Sequence, residues 1–324
     1  DGKPQSLLAI LSEAECIASG LNDAVRMCKV LSTQAYALAS DGQLDAAIAA
    51  GEHNIKIINE KDGINNFCNG KLMLGRALYA AGRYAEAIKH ANDVMKCVGD
   101  NVELGKRGAT VLSHTINARA WLVLTHAERG EFEQGIRLGC DGLRLLENVQ
   151  AAKHERLWIE YAIGRLNVVK GNFEMAIAGL ESVSPFCETN FPVYFPRVAS
   201  SLGAAYAATG KFDKGLELLR QANDQSNSSG FQFGHALVLS QLAEALLISG
   251  KGTEAREKAT GAIEIARNAG ERGNEGWAAC VLGDIAAQCI QLDDAKAHYN
   301  QGLEIAEALS MAPLRTRCLR GLKG

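Results

Sequence analysis

Residues 74–87 read Leu74-Gly75-Arg-Ala-Leu-Tyr-Ala-Ala-Gly82-Arg-Tyr84-Ala-Glu-Ala87, a small-residue run, a glycine, and then a large aromatic opening a second run. Near-copies of this stretch recur. Gly42, Gly82, Gly130, Gly171, Gly210 and Gly250 stand 40, 48, 41, 39 and 40 residues apart, and a further 40 residues lead to Ile290 in a matching segment. Two residues after these positions come Leu44, Tyr84, Phe132, Phe173, Phe212 and Leu292, with Gly252 the exception. Seven before them stand Ala35, Gly75, Val123, Gly164, Gly203, Ala243 and Gly283, and five after them Ala47, Ala87, Gly135, Ala176, Gly215, Ala255 and Ala295. Ala and Gly together are about a quarter of the chain, so thirteen small residues at these fourteen positions are not composition alone.

The pattern predicts helical hairpins. A first helix ends at the glycine, which takes the left-handed cap, and a second starts two or three residues later. Small residues on both helices allow an interaxial distance near ~8 Å, which a larger side chain would prevent. The second helices begin acidic, with Asp45, Glu133, Glu174, Asp213 and Asp293, where carboxylates meet the positive helix end. The expected architecture is an all-α, right-handed α-α superhelix of about seven hairpins, forming one solenoid domain over residues 1–324. Residues 1–20 read as the second helix of an incomplete unit. Units follow at about 24–60, 66–98, 114–148, 155–184, 196–226, 235–269 and 275–310, and 313–324 begins an eighth after Pro313. Both ends would then be open, exposing Leu314, Leu319 and Leu322 at one of them. Lys61-Asp62-Gly63 and Asn227-Ser-Ser-Gly230 read as polar turns, residues 97–113 as a longer connection, and 184–196 as an aromatic, proline-rich loop that plugs a seam between units or, as the less common alternative, forms a binding lip.

Composition narrows the function. The 324 residues carry 34 Lys and Arg against 37 Asp and Glu, a formal charge of −3 without the basic field that nucleic-acid binding requires. Nine cysteines form no C-x-x-C pair and read as buried or semi-buried free thiols of a reducing cytoplasm. The seven histidines are scattered without metal-ligand spacing, and no apolar run is long enough for a membrane span. The start, Asp1-Gly2-Lys3-Pro4, has neither Met nor a signal-peptide pattern and reads as a cytosolic piece of something longer. Two stretches imitate a phosphate-binding loop. Ser249-Gly-Lys-Gly-Thr253 lacks the first glycine and follows a helix, and Gly99 to Lys106 has the wrong spacing and Arg107 in place of Ser or Thr. Asp293-Asp294 is an adjacent pair at a helix start whose members point to different faces. No catalytic, metal or cofactor site is expected, and the fragment reads as no enzyme.

The spacing resembles the tetratricopeptide repeat, most clearly at Leu74-Gly75 with Tyr84 and Ala87, although its period exceeds the usual ~34 residues. Over the whole chain, Leu11-Ser-Glu-Ala-Glu-Cys16, Ala46 to Glu52, Arg119-Ala-Trp-Leu122, Phe195 to Ser200, and Ala297 to Arg315 resemble the C-terminal repeat region of bacterial proteins with a class III adenylate/guanylate cyclase domain and an AAA-type ATPase. That resemblance implies a cytoplasmic signalling protein whose enzymatic parts lie outside this chain. In a helical-hairpin solenoid the first helices line the concave wall and the residues thirteen, ten, six, three and two before the turn position face the groove, among them Tyr36, Asn69, Arg76, Tyr79, Asn117, Trp158, Tyr161, Arg165, Arg197, Glu244, Trp277 and Asp284. Arg76, Arg165 and Arg197 among aromatic rings suit an extended peptide bearing carboxylates, whereas packing of Trp158 and Tyr161 on the neighbouring helix is the plainer reading of those two. The chaperone-tail clamp of short adaptors is excluded, because Ser32 and Tyr36 stand where it needs Lys and Asn. The expected function is a non-catalytic scaffold that binds a protein or peptide, or other domains of its own chain. The alternative is a small-molecule inducer sensor of the kind found in the maltose-responsive activator, with Trp158, Tyr161 and Trp277 stacking on the ligand. Self-association through the open ends is a third possibility.

Overall fold

A computed structural model of the chain describes residues 4–58, 63–105, 112–149 and 152–324. Among the described residues there are sixteen α-helices and no strand. They are α1 (Pro4–Gly20), α2 (Ala24–Ser40), α3 (Leu44–Ile57), α4 (Ile64–Ala80), α5 (Tyr84–Val98), α6 (His114–Arg129), α7 (Phe132–Leu145) and α8 (Lys153–Lys170). There follow α9 (Phe173–Asn190), α10 (Phe195–Ala208), α11 (Phe212–Ser229), α12 (His235–Ile248), α13 (Gly252–Ala269), α14 (Arg272–Gln288), α15 (Leu292–Ala308) and α16 (Ala312–Gly321). Even-numbered helices from α2 to α14 end at the repeated turn and pair with the odd-numbered helix that follows. Each even-numbered helix also touches the next one, as α10 does α12 and α12 does α14. The result is an α-α superhelix of hairpins, with the even-numbered helices inside.

The small residues do what their spacing predicts. A methyl group on Gly203 would lie 2.8 Å from the Gly215 carbonyl oxygen, and one on Gly215 2.7 Å from the Gly203 carbonyl, so α10 and α11 cross backbone against backbone. The turn glycines hold φ between 79° and 86°. Ile290 takes the same left-handed geometry at φ 59° despite its branched side chain, and Asn22 and Ser310 do so at the α1–α2 and α15–α16 connections.

Several local expectations need correction. Residues 184–190 are not loop: α9 runs through Pro185 to Asn190, giving up one backbone hydrogen bond at the proline, and only 191–194 connect it to α10. The aromatic residues there still pack into the seam, with Phe191 stacked on His154 at 3.9 Å and Tyr194 5.4 Å from Trp158. Helix α11 extends through Asn227 to Ser229, so only its capping Gly230 remains a turn. Within the two other connections named from the sequence, residues 61–62 and 106–111 lie outside the described residues. Leu314 is fully buried rather than exposed, Leu319 and Leu322 are half-buried, and Cys16, Cys140 and Cys289 are exposed rather than buried or semi-buried.

The burial of Leu314 reflects closure of the superhelix on itself. Hairpins meet partners about five units further along the chain: Gly42 abuts Gln232 and Ala269, Gly82 abuts Leu309, and Gly130 abuts Ala312 and Pro313. Helix α16 thereby packs on α14, α15 and also α6. The Gln232 N–H donates to the Ser40 carbonyl at 2.8 Å across this junction. The opposite end stays open, with Ile10, Ile17 and Leu21 more than half exposed.

Gly203→Val should lower stability by ~1–3 kcal/mol, because the added atoms meet backbone that cannot step aside. Gly252→Ala, at an open helix start with nothing near its methyl position, should be neutral or stabilising by up to ~1 kcal/mol. Denaturant midpoints of the two variants test this, and equal losses would contradict the close-approach account.

Candidate binding site

The inner helices bring most of the sequence-predicted groove residues together, but the N-terminal half of that wall is filled by the chain itself. Phe233, on the connection between α11 and α12, enters it. The Arg76 guanidinium lies between the Tyr36 ring at 4.3 Å and the Phe233 ring at 4.4 Å, and its Nη2 donates to Ser40 Oγ at 3.1 Å. Burial, helped by Arg197, draws the Arg76 pKa down, against the pull of Tyr36. Arg197 lies over Trp158, Tyr194 and Phe233 at 5.2–5.3 Å. An aromatic chain runs from Tyr84 through Tyr79, Trp121 and Trp158 to Tyr161, with successive centroids 5.3–5.8 Å apart. Burial, reinforced by Glu128 and Tyr84, pushes the Tyr79 hydroxyl well above its ordinary pKa. Asn117 accepts from Trp158 Nε1 at 3.2 Å. Trp158 and Tyr161, each 4% exposed, are thus packing residues as they stand. Asn69 is half-buried on α4.

One buried carboxylate ties three inner helices together. Glu128 on α6 accepts from Arg165 Nη2 of α8 at 3.0 Å and from Trp277 Nε1 of α14 at 2.8 Å. Burial would depress the Arg165 pKa, but the adjacent Glu128 outweighs it and holds the guanidinium above its usual value. Nearby, Arg317 of α16 pairs with Glu244 at 2.8 Å and Asp284 at 2.6 Å, and Asp284 also accepts from the Tyr299 hydroxyl at 2.7 Å. The three arginines expected to await acidic ligands are therefore engaged internally, Arg76 and Arg197 with rings and Arg165 with Glu128.

Beyond this bridge the superhelix is hollow. A cavity of about 620 Å³ is lined by α8, α10, α12 and α14, the α6–α7 turn and α16. Val168, Val169, Ala207, Leu237, Ala245 and Val281 supply apolar wall, while Arg165, Glu244 and Trp277 place three of the sequence-predicted groove residues on its lining. Its volume falls within the roughly 300–1,000 Å³ typical of small-molecule sites. No group of three metal-ligating side chains occurs among the described residues, and no helix there is long and apolar enough to cross a membrane.

Profiles of the tetratricopeptide repeat match residues 234–308, and 70–91 together with 196–221. Tetratricopeptide repeats are matched in those segments. No curated protein matches the sequence. Among solved structures, a Rap protein complexed with Competence and Sporulation Factor is similar at TM-score 0.61 and 12% identity, over 92% of this chain and 87% of that one. The Cut9 and Hcn1 hetero-tetramer gives 0.60 and 14%, over 98% and 53%, and Bacillus thuringiensis PlcR with the peptide PapR7 and DNA gives 0.53 and 14%, over 78% and 99%. At these identities the likeness is one of fold.

The repeat register also explains which residues sequence reasoning missed. Glu128 stands two before Gly130, an inward register, so its signal was present. Gln241, Lys170 and Arg320 also line the cavity but stand nine before a turn glycine, one before another, and on the incomplete unit. Phe233 sits in a connection with no register at all. Another buried carboxylate, Glu271, accepts from the Gly234 N–H at 2.8 Å and Asn274 Nδ2 at 2.7 Å, and burial raises its pKa against those bonds.

Glu128→Ala leaves Arg165 buried without a counter-charge and should cost ~3–5 kcal/mol, whereas Glu128→Leu combined with Arg165→Met should cost far less; thermal melts of the variants check the difference. For Glu271, a raised folded-state pKa means stability present below the ordinary carboxylate value and lost as pH rises through the raised one. Glu271→Gln should therefore raise the melting temperature more at about pH 7.5 than at about pH 4.5. A uniform shift at both would contradict the assignment.

Proposed function

We propose that this chain is a non-catalytic recognition module that binds a protein or peptide segment inside its superhelix, in the cavity between α8 and α16. The observation that carries the reading is an apolar hollow left between inner helices that elsewhere fill their own groove. The repeat supports it, being a scaffold for interaction more than for chemistry, and so do the partners named for the similar Rap and PlcR structures. Trp277, Arg165 and Glu244 are the groove residues positioned to meet the ligand. The other predicted groove residues would act by shaping the wall. Free cysteines and the sequence resemblance support a cytoplasmic multidomain signalling protein as the setting, and the full-length gene product tests that placement.

The test is to screen short peptides by Trp fluorescence and calorimetry against the chain and its Ala208→Trp variant. Ala208 is exposed and on the cavity lining, so the indole fills the hollow without disturbing the fold. Peptide binding should fall at least about tenfold in Ala208→Trp with the melting temperature held. Binding unchanged by the filled cavity would place recognition elsewhere, and binding of small metabolites in place of peptides would favour an inducer sensor.

A further inference from the structure

Two walls stand in the way of a segment running straight through the cavity. On one side the Trp277–Glu128–Arg165 bridge crosses the axis, and both Trp277 and Arg165 belong to the lining. On another, the start of α16 sits against the α6–α7 turn, where a methyl group on Gly130 would come within 3.1 Å of Pro313 Cδ. A chain end fits such a space better than the middle of a strand.

The polar groups on the lining say which end. Four cations, Arg165, Lys170, Arg317 and Arg320, share it with one acid, Glu244. Arg165 is neutralised by Glu128, and Arg317 by Glu244 and Asp284. Lys170 and Arg320 are exposed and have no acidic partner among the described residues, so the rim carries a positive surplus. In the wall, Gln241 is 5% exposed, and neither its Nε2 nor its Oε1 has a hydrogen-bond partner. A carboxamide with both groups idle presents a donor beside an acceptor, the complement of a peptide group. Arg165 Nε is a second buried donor without a partner.

We propose that the cavity takes the carboxyl-terminal end of a peptide, with its carboxylate at Lys170 and Arg320, a peptide group near the end on Gln241, and an apolar final side chain against the inner helices. This rests on the peptide-binding reading above and specifies what that site selects. Guanidinium and ammonium hold a free carboxylate by charge-assisted hydrogen bonds that an amidated end cannot offer. Burying Gln241 without partners is costly to the empty protein and is relieved when a peptide group meets it.

Peptides with apolar last residues are compared as free acids and as carboxamides, by calorimetry on the intact chain and on Arg320→Gln and Gln241→Leu. The free acid should bind at least about tenfold more tightly than the amide, and Arg320→Gln should erase most of that difference while leaving amide binding unchanged. Gln241→Leu should weaken both forms with an equal or higher melting temperature, which separates lost recognition from lost folding. Equal affinity for acid and amide overturns the proposal while leaving peptide recognition intact. Absence of binding by either form overturns the peptide reading as well. N-acetyl amino acids binding as tightly as the longer peptides would make a free acylamino acid the occupant and overturn the chain-end assignment.

Discussion

Everything in this molecule depends on two helices touching where side chains are nearly absent. At Gly203 and Gly215 the contact is backbone to backbone, and the equivalent positions of the other hairpins are Ala or Gly with one exception, Val123. Close crossings leave each hairpin with its apolar surface on the flanks, where only another hairpin can cover it. Stacking follows from that need, and curvature follows from stacking helices with tight inner crossings. The hollow on the inside is thus a by-product of the same methyl-sized contacts, and its shape is decided by which inner residues are large.

Those inner residues divide the groove unequally. Toward the N-terminal half, Tyr36, Arg76, Tyr79, Trp121, Trp158 and Arg197 are bulky enough to meet one another across the axis once Phe233 joins them. Toward the C-terminal half, the corresponding surfaces of α10 and α12 present Ala204, Ala207 and Ser240, and a space remains. The same chemistry that marks recognition surfaces, arginine among aromatic rings, here serves mainly to glue the spiral shut. Side-chain type alone could not separate the two uses, because both need a ring and a guanidinium brought out of water.

The fold was legible because its signal repeats: a turn position, glycine in six of seven units, flanked by close-approach positions that are small in thirteen of fourteen cases, outweighs irregularities such as Gly252 or Ile290. The inward register was legible for the same reason, and it put Arg165, Glu244 and Trp277 on what proved to be the cavity lining. What the sequence did not disclose is long-range. Phe233 plugging against Arg76, Trp277 reaching Glu128 across 149 positions, and α16 landing on α6 all depend on how far the spiral turns, which no local spacing records. Pro185 misled for a different reason, since its helix tolerates the proline where packing of Phe186 and Cys187 holds the chain in place.

The landing of Pro313 on Gly130 carries a consequence for how the chain comes apart. An open array of hairpins frays from either terminus, each unit answering only to its immediate neighbours. Contacts between units about five apart add couplings of high sequence separation, which raise cooperativity and slow folding by increasing contact order. Helix α1, which packs mainly on α2, keeps the looser behaviour of a simple array, so the protein joins a frayable lead segment to a body that opens all at once.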